Sequence, residues 1–153
     1  MPKECIFCKI VAKTAKASLK FENEEIMVFE DIKPASTHHY LAIPKEHIEN
    51  VHSLQTAHLG LLERLVAEGR QVIEKAGGDL NDIRMGFHLP PFNSVGHVHL
   101  HLICPASNMS FIHRAMFKPN SWWFVEVSEI LGKLSKLAQE EKAASSAHIQ
   151  SNL

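Results

Sequence analysis

Short β-rich runs, two helical stripes and one strictly alternating segment divide this chain. Leu19–Glu22 and Ile26–Asp31 are rich in large apolar residues and are separated by Asn23-Glu24-Glu25, which predicts a hairpin. The run His38–Ile43 predicts a third strand, closed by Pro44 because proline has no N–H to give to a sheet ladder. From Thr56 to Ala76, Leu59, Leu62, Leu65, Val66, Val72 and Ile73 recur at helical spacing, and Gly77-Gly78 supply a stop. Ile83–His88 and Val95–Cys104 predict two further strands, joined across Leu89-Pro-Pro-Phe-Asn-Ser94, where the paired prolines stiffen the connection. An aromatic run, Trp122-Trp-Phe-Val125, precedes a final amphipathic helix predicted from Ser128 to Lys142, with Ile130, Leu131, Leu134, Leu137 and Ala138 on one face. Cys5–Ile10 reads as a turn entering a short helix. With no repeat or linker, the pattern specifies one α+β domain over residues 1–142, and the small, polar residues 143–153 read as a flexible tail.

The alternating segment carries the chemistry. In Gly96-His97-Val98-His99-Leu100-His101-Leu102-Ile103, a β conformation puts His97, His99 and His101 on one face and Val98, Leu100 and Leu102 on the other. Imidazoles two residues apart on a strand are roughly 7 Å apart, too close for all to be protonated cheaply. Three readings suit such a row: a half-buried strand whose polar face happens to be histidine, a three-histidine metal site, or a nucleophilic imidazole oriented by its neighbours.

Composition narrows the field. The chain has 153 residues, 45% hydrophobic and 22% charged, enough for one domain with a real core. Lys+Arg 16 against Asp+Glu 17 leaves a net charge of -1, so no basic field holds nucleic acid or anionic lipid, and an anionic ligand needs a local site. No apolar run approaches the roughly 20 residues that cross a bilayer. The three cysteines, Cys5, Cys8 and Cys104, are too few for a disulfide scaffold, and no signal-peptide pattern is present, so a cytoplasmic or nuclear location is expected. The 11 histidines are the unusual count, because imidazole titrates near neutral pH.

His97-Val-His-Leu-His-Leu-Ile103 fits an H-φ-H-φ-H-φ-φ pattern, and with it the chain resembles the histidine triad superfamily of nucleotide hydrolases and transferases. Ile6-Phe7, Phe29-Glu30-Asp31-Ile32, Pro34, His39-Tyr-Leu-Ala-Ile-Pro-Lys45, His47-Ile48 and Arg84-Met85 extend the similarity to its Hint branch, over Cys5 to about Pro105. The resemblance implies an antiparallel sheet of about five strands with two main helices, paired as a homodimer. It also implies hydrolysis of nucleoside phosphoramidates: adenosine 5'-monophosphoramidate, AMP-lysine-type conjugates and acyl-adenylates. His99 would be the nucleophile at the α-phosphorus of a purine nucleotide, giving a nucleotidyl-histidine that water hydrolyses. Among the catalytic positions it implies are His101 as phosphate donor, Ser94 beside phosphate or leaving group, His39 as an orienting histidine, and His97. Asp31 would bind the ribose diol, Phe7, Phe29 and Ile32 would sandwich the base, and Asn93, Ser94, His99 and His101 would line the nucleotide site.

Cys5-x-x-Cys8 alone is a weak motif, since a zinc ribbon needs a second pair. Some proteins with the same triad pattern hold zinc through this pair, the histidine after Pro-Lys-x and the first triad histidine, here Cys5, Cys8, His47 and His97. Such a metal would be structural; catalysis itself would need no cofactor. The chain departs from the Hint pattern at His88, where asparagine is expected, at the shortened Pro90-Pro91 loop, at Asn93 and at Gly96. The competing reading is a non-catalytic nucleotide-binding or adaptor protein that keeps the triad for structure.

Overall fold

In a computed structural model of the protein, which describes residues 4–152, six strands form one sheet in the order β1-β2-β3-β5-β4-β6, with every neighbouring pair antiparallel. The strands are β1 (Leu19–Glu22), β2 (Ile26–Glu30), β3 (His38–Pro44), β4 (Arg84–His88), β5 (Leu100–Cys104) and β6 (Phe124–Glu126). The helices are α1 (Ile6–Val11), α2 (Leu59–Lys75), α3 (Phe111–Met116) and α4 (Val127–Ser151). The α+β class, the first hairpin and the two main helices agree with the sequence pattern. Asn23 closes that hairpin, its Oδ1 accepting from the N–H groups of Glu25 (2.9 Å) and Ile26 (2.8 Å).

Alternation on β3 and β5 gives the sheet two different buried faces. Ile26, Val28, Tyr40, Ala42, Leu100, Leu102 and Cys104 meet Leu62, Leu65, Val72 and Ile73 of α2 in the main core, which Leu134 of α4 completes. On the other face two smaller clusters form. Phe7 and Ile10 of α1 pack on Met27, Phe29, Leu41 and Ile43, while Phe117, Phe124 and Met109 pack on Ala35 and Ile103. The histidines lie on this second face; His39, His97, His99 and His101 are all buried.

Three differences from the sequence pattern have physical reasons. The strand expected from Val95 begins only at Leu100: its ladder with β3 runs from His38↔Cys104 to Ala42↔Leu100, and Pro44, next in register, cannot donate. A sixth strand, β6, pairs with β4 (Gly86↔Glu126, Phe87↔Val125, His88↔Phe124), although three residues carry too little periodicity to announce a strand. Helix α4 runs to Ser151 instead of stopping near Lys142, because Ala143-Ala-Ser-Ser-Ala147 contains no glycine or proline to end it.

Helix α3 has six residues and is held from outside. Its C-terminal carbonyls take donors from three other segments: Ala115 from Trp123 Nε1 (2.8 Å), Met116 from His88 Nε2 (3.0 Å) and Phe117 from an Arg84 guanidinium nitrogen (2.6 Å). These bonds seat Phe117 over the histidines.

Gly86 permits the β4–β6 approach, since a Cβ there would strike the Val125 carbonyl oxygen and the Phe124 ring. Gly86→Ala is therefore expected to destabilise the fold by about 1–3 kcal/mol, read as a lower midpoint in urea. An unchanged midpoint would show that the β4–β6 contact is not under that constraint.

A candidate active site built from buried histidines

Because no charge can be afforded at this depth, the site is defined by which imidazole nitrogen carries each proton. Burial pushes His39 down to about 4 despite the Asp31 carboxylate nearby. Burial likewise lowers His99, and lowers His101 well below the usual imidazole value, with the neighbouring histidines adding to the shift. Each ring is therefore neutral near pH 7 and has one N–H and one lone pair to place.

The hydrogen bonds settle that placement. The Ala35 N–H donates to His39 Nδ1 (3.0 Å), so the His39 proton sits on Nε2 and is donated to His101 Nδ1 (2.9 Å). The His101 proton then sits on Nε2, the one fully buried side-chain nitrogen or oxygen among the described residues without a hydrogen-bond partner. That is a donor aimed at something absent from the protein, and a phosphate oxygen would satisfy it. His99 is locked in the opposite sense: its Nδ1–H donates to the His97 carbonyl (2.7 Å), which leaves the Nε2 lone pair free. The His99 and His101 rings lie 5.0 Å apart, and Phe7 packs its edge on His99 at 5.1 Å.

Asp31 faces this relay. Its Oδ1 accepts from the Lys33 N–H (2.8 Å) in a local turn, and its Oδ2 lies 3.4 Å from His39 Nε2 and 3.9 Å from His101 Nδ1. Asp31, His39 and His101 bring donor atoms within 4.8 Å of one another, and the His39–His101 hydrogen bond joins the two rings directly. His38 points the other way, its Nδ1 3.3 Å from the Tyr40 hydroxyl.

At the other end of the row, His97 Nε2–H donates to the Pro44 carbonyl (2.8 Å), turning the Nδ1 lone pair toward Cys5, Cys8 and His47. The separations are 3.5 Å to Cys5 Sγ, 3.6 Å to Cys8 Sγ and 3.2 Å to His47 Nδ1, with His47 Nδ1 3.3 Å from Cys8 Sγ. A tetrahedral ion with two sulfur and two nitrogen ligands has edges of roughly 3.3–3.8 Å, so these residues fit a four-coordinate cation. Burial, with the hydrogen bond to Cys5, pushes the Cys8 thiol up to about 11, so binding a cation there releases a proton.

The remaining residues are spread more widely. Phe7 and Phe29 are 6% and 3% exposed and form an edge-on pair (centroids 5.5 Å) behind His99, so they can back a base but not clasp it from outside. Ile32 stands free at the rim, 92% exposed. Asn93 shares a small cleft with His88, His97 and His99, and its side chain donates to the Val95 carbonyl (3.3 Å). Ser94 is exposed and lines an outer cleft with Cys5, His47, Glu49 and Gly96, so the structure groups it with the thiol corner and not with His99.

Two residues join the site that sequence reasoning left unassigned. Phe117 covers His39, His88 and His101 at centroid distances of 5.4, 5.0 and 5.1 Å, and nothing in the sequence signals it because α3 delivers it from outside the motif. His88, at the end of β4, sets its ring 5.0 Å from His101. Its only sequence signal is an imidazole where the resemblance implies an amide.

Fold and site together define a histidine triad protein. The chain belongs to the histidine triad (HIT) superfamily: a family model described as scavenger mRNA decapping enzyme C-term binding matches residues 4–117. Within it, the chain is 41% identical over 135 residues to adenosine 5'-monophosphoramidase HINT3 of Mus musculus, covering 86% of this chain and 82% of that protein. It is 40% identical over 132 residues to the HINT3 of Xenopus tropicalis, covering 85% and 86%. Among solved structures, a HIT family hydrolase from Clostridium thermocellum superposes with a TM-score of 0.65 at 29% identity, covering 68% of this chain and 92% of that one.

The depressed His39 value sets a pH dependence. An imidazole that titrates near 6.5 when unfolded and near 4 when folded binds its proton more readily in the unfolded chain. Stability is therefore expected to be full above about pH 6.5 and to fall as pH drops toward 4, by up to about 1.4 kcal/mol per pH unit for this one proton. Urea midpoints at pH 7 and pH 4.5 measure it, and His39→Gln should flatten the slope; equal slopes in both proteins would remove His39 as its source.

Proposed function

We propose that the chain is a nucleoside phosphoramidate hydrolase cleaving adenosine 5'-monophosphoramidate, AMP-lysine-type conjugates and acyl-adenylates. The names of its close relatives support the reaction class. The observation that carries the reading is the pair of opposite tautomers: a free lone pair on His99 Nε2 beside an unpartnered N–H on His101 Nε2.

His99 Nε2 attacks the α-phosphorus of the purine nucleotide. The phosphorus–nitrogen bond to the leaving amine breaks, its electron pair going to the nitrogen, which takes up a proton from solvent as the amine departs. His101 Nε2–H donates to a non-bridging oxygen, where charge grows in the transition state, from a position fixed by the Ala35–His39 hydrogen bonds. The adduct keeps its Nδ1–H on the His97 carbonyl, which spreads the positive charge of the phosphorylated ring. Water then attacks phosphorus, AMP leaves, and His99 regains its lone pair. Asp31 would bind the ribose diol and the exposed Ile32 the base, with Asn93, which shares the small cleft with His99, toward the phosphate; Ser94, which lines the outer cleft with Cys5 and His47, is left without a part in the step.

Cys5, Cys8, His47 and His97 would hold zinc. A Cys2His2 set closes the coordination shell, so the ion would fix the His97 backbone that orients His99 and would take no part in the bond changes.

Quenched turnover of adenosine 5'-monophosphoramidate is expected to yield an AMP adduct on His99 by mass spectrometry. His99→Asn should abolish the adduct and lower turnover at least about a thousandfold while AMP still binds. An adduct on another residue overturns the nucleophile, and AMP binding without turnover by the wild type favours the adaptor reading. Elemental analysis should find about one zinc per chain and Cys8→Ser should lose it, with a lower melting temperature after chelation; full stability and activity without metal would refute the zinc assignment.

A further inference from the structure

Once His99 Nε2 is bonded to phosphorus, the attacking water still has to lose a proton. The relay cannot take it: His39 Nδ1 accepts from Ala35, His39 Nε2 and His101 Nε2 carry protons, and His101 Nδ1 accepts from His39. The His97 lone pair faces the thiols, and its other nitrogen is bonded to Pro44. Asp31 has one oxygen in its turn and the other facing His39.

His88 differs. Its Nε2–H is spent on the Met116 carbonyl (3.0 Å), so the lone pair is on Nδ1, which has no hydrogen-bond partner among the described residues. Phe117 and Phe124 hold the ring at 5.0 and 5.4 Å, its own centroid is 5.0 Å from His101, and it lines the small cleft with Asn93, His97 and His99.

Building on the hydrolase reading above, we propose that His88 is a further catalytic residue, the general base that deprotonates the water attacking the nucleotidyl-His99 adduct. A proton passes from water to His88 Nδ1 as the new oxygen–phosphorus bond forms and the His99–phosphorus bond breaks, its electron pair returning to His99 Nε2. His88 then releases the proton to solvent, and the products are AMP and the starting enzyme. Burial holds His88 below the usual imidazole value, so it enters the step neutral, and the Asp31 carboxylate favours the imidazolium formed. An asparagine at this place has no basic nitrogen to do this.

The assignment separates the two half-reactions. In His88→Asn and His88→Ala, single-turnover formation of the His99 adduct from adenosine 5'-monophosphoramidate should slow at least about tenfold less than its breakdown does. Its hydrolysis should slow about a hundredfold, so the adduct accumulates on quenching. Free imidazole should restore hydrolysis to His88→Ala at least about tenfold, which loss of a merely structural contact would not allow. Formation and hydrolysis slowed equally, absence of accumulation, or absence of rescue would each overturn the role. So would accumulation in Glu49→Gln but not in the His88 variants, because Glu49 is an exposed carboxylate on the same cleft. If His88→Ala fails to fold, His88→Asn decides by accumulation alone. Lack of any wild-type adduct on His99 would instead sink the hydrolase reading, leaving the two failures distinguishable.

Discussion

The single backbone donor at Ala35 sets the state of everything downstream of it. By giving its N–H to His39 Nδ1 it fixes one tautomer, which fixes the next, which leaves the His101 proton on Nε2, a buried atom with no hydrogen-bond partner among the described residues. The relay works only because the rings are buried. In water each imidazole would exchange tautomers and titrate near neutrality, whereas here desolvation keeps them neutral and makes an unmatched lone pair or N–H expensive. An unpartnered donor at that depth is a stored demand for an acceptor, which a phosphate can meet.

Burying that relay is the task of the second face of the sheet. Two small apolar clusters flank it, one built on Phe7 and Phe29, the other on Phe117 and Phe124. Neither belongs to the main core under α2. Phe117 arrives on a six-residue helix too short to be stable alone, and that helix is seated by side-chain donors from Trp123, His88 and Arg84. His88 therefore helps seat the residue that covers His101 while keeping its own Nδ1 free. One side chain thus joins the scaffold to the chemistry.

His97 joins two sites in the same way. Its carbonyl holds the His99 tautomer, and its ring, turned by Pro44, completes a sulfur–nitrogen corner with Cys5, Cys8 and His47. Pro44 also ends the β3–β5 ladder, which frees residues 97–99 from the sheet so that the His97 carbonyl can meet the His99 ring instead of a neighbouring strand. A metal at the corner would stiffen this segment, so the corner and the nucleophile are mechanically one unit.

Much of this was legible in the sequence because it depends on local periodicity. The period-two alternation of His97 to Ile103 separated imidazoles from core residues, and the helical stripe of α2 and the Asn23 turn announced themselves, whereas the grouping of Cys5 and Cys8 with His47 and His97 came from the family resemblance and not from periodicity. What the sequence could not supply were features made by contacts between distant segments. Strand β6 exists only through its pairing with β4. Phe117 reaches the histidines only when α3 folds back, His88 only through the pairing of β4 with β5, and Ser94 lines a cleft with Cys5 and His47 instead of His99. The sequence by itself determined which residue types could do the chemistry and which face each would take, since backbone geometry imposes that. Only the tertiary structure decided which nitrogen carries each proton, because a tautomer is chosen by the one donor or acceptor that burial leaves within reach.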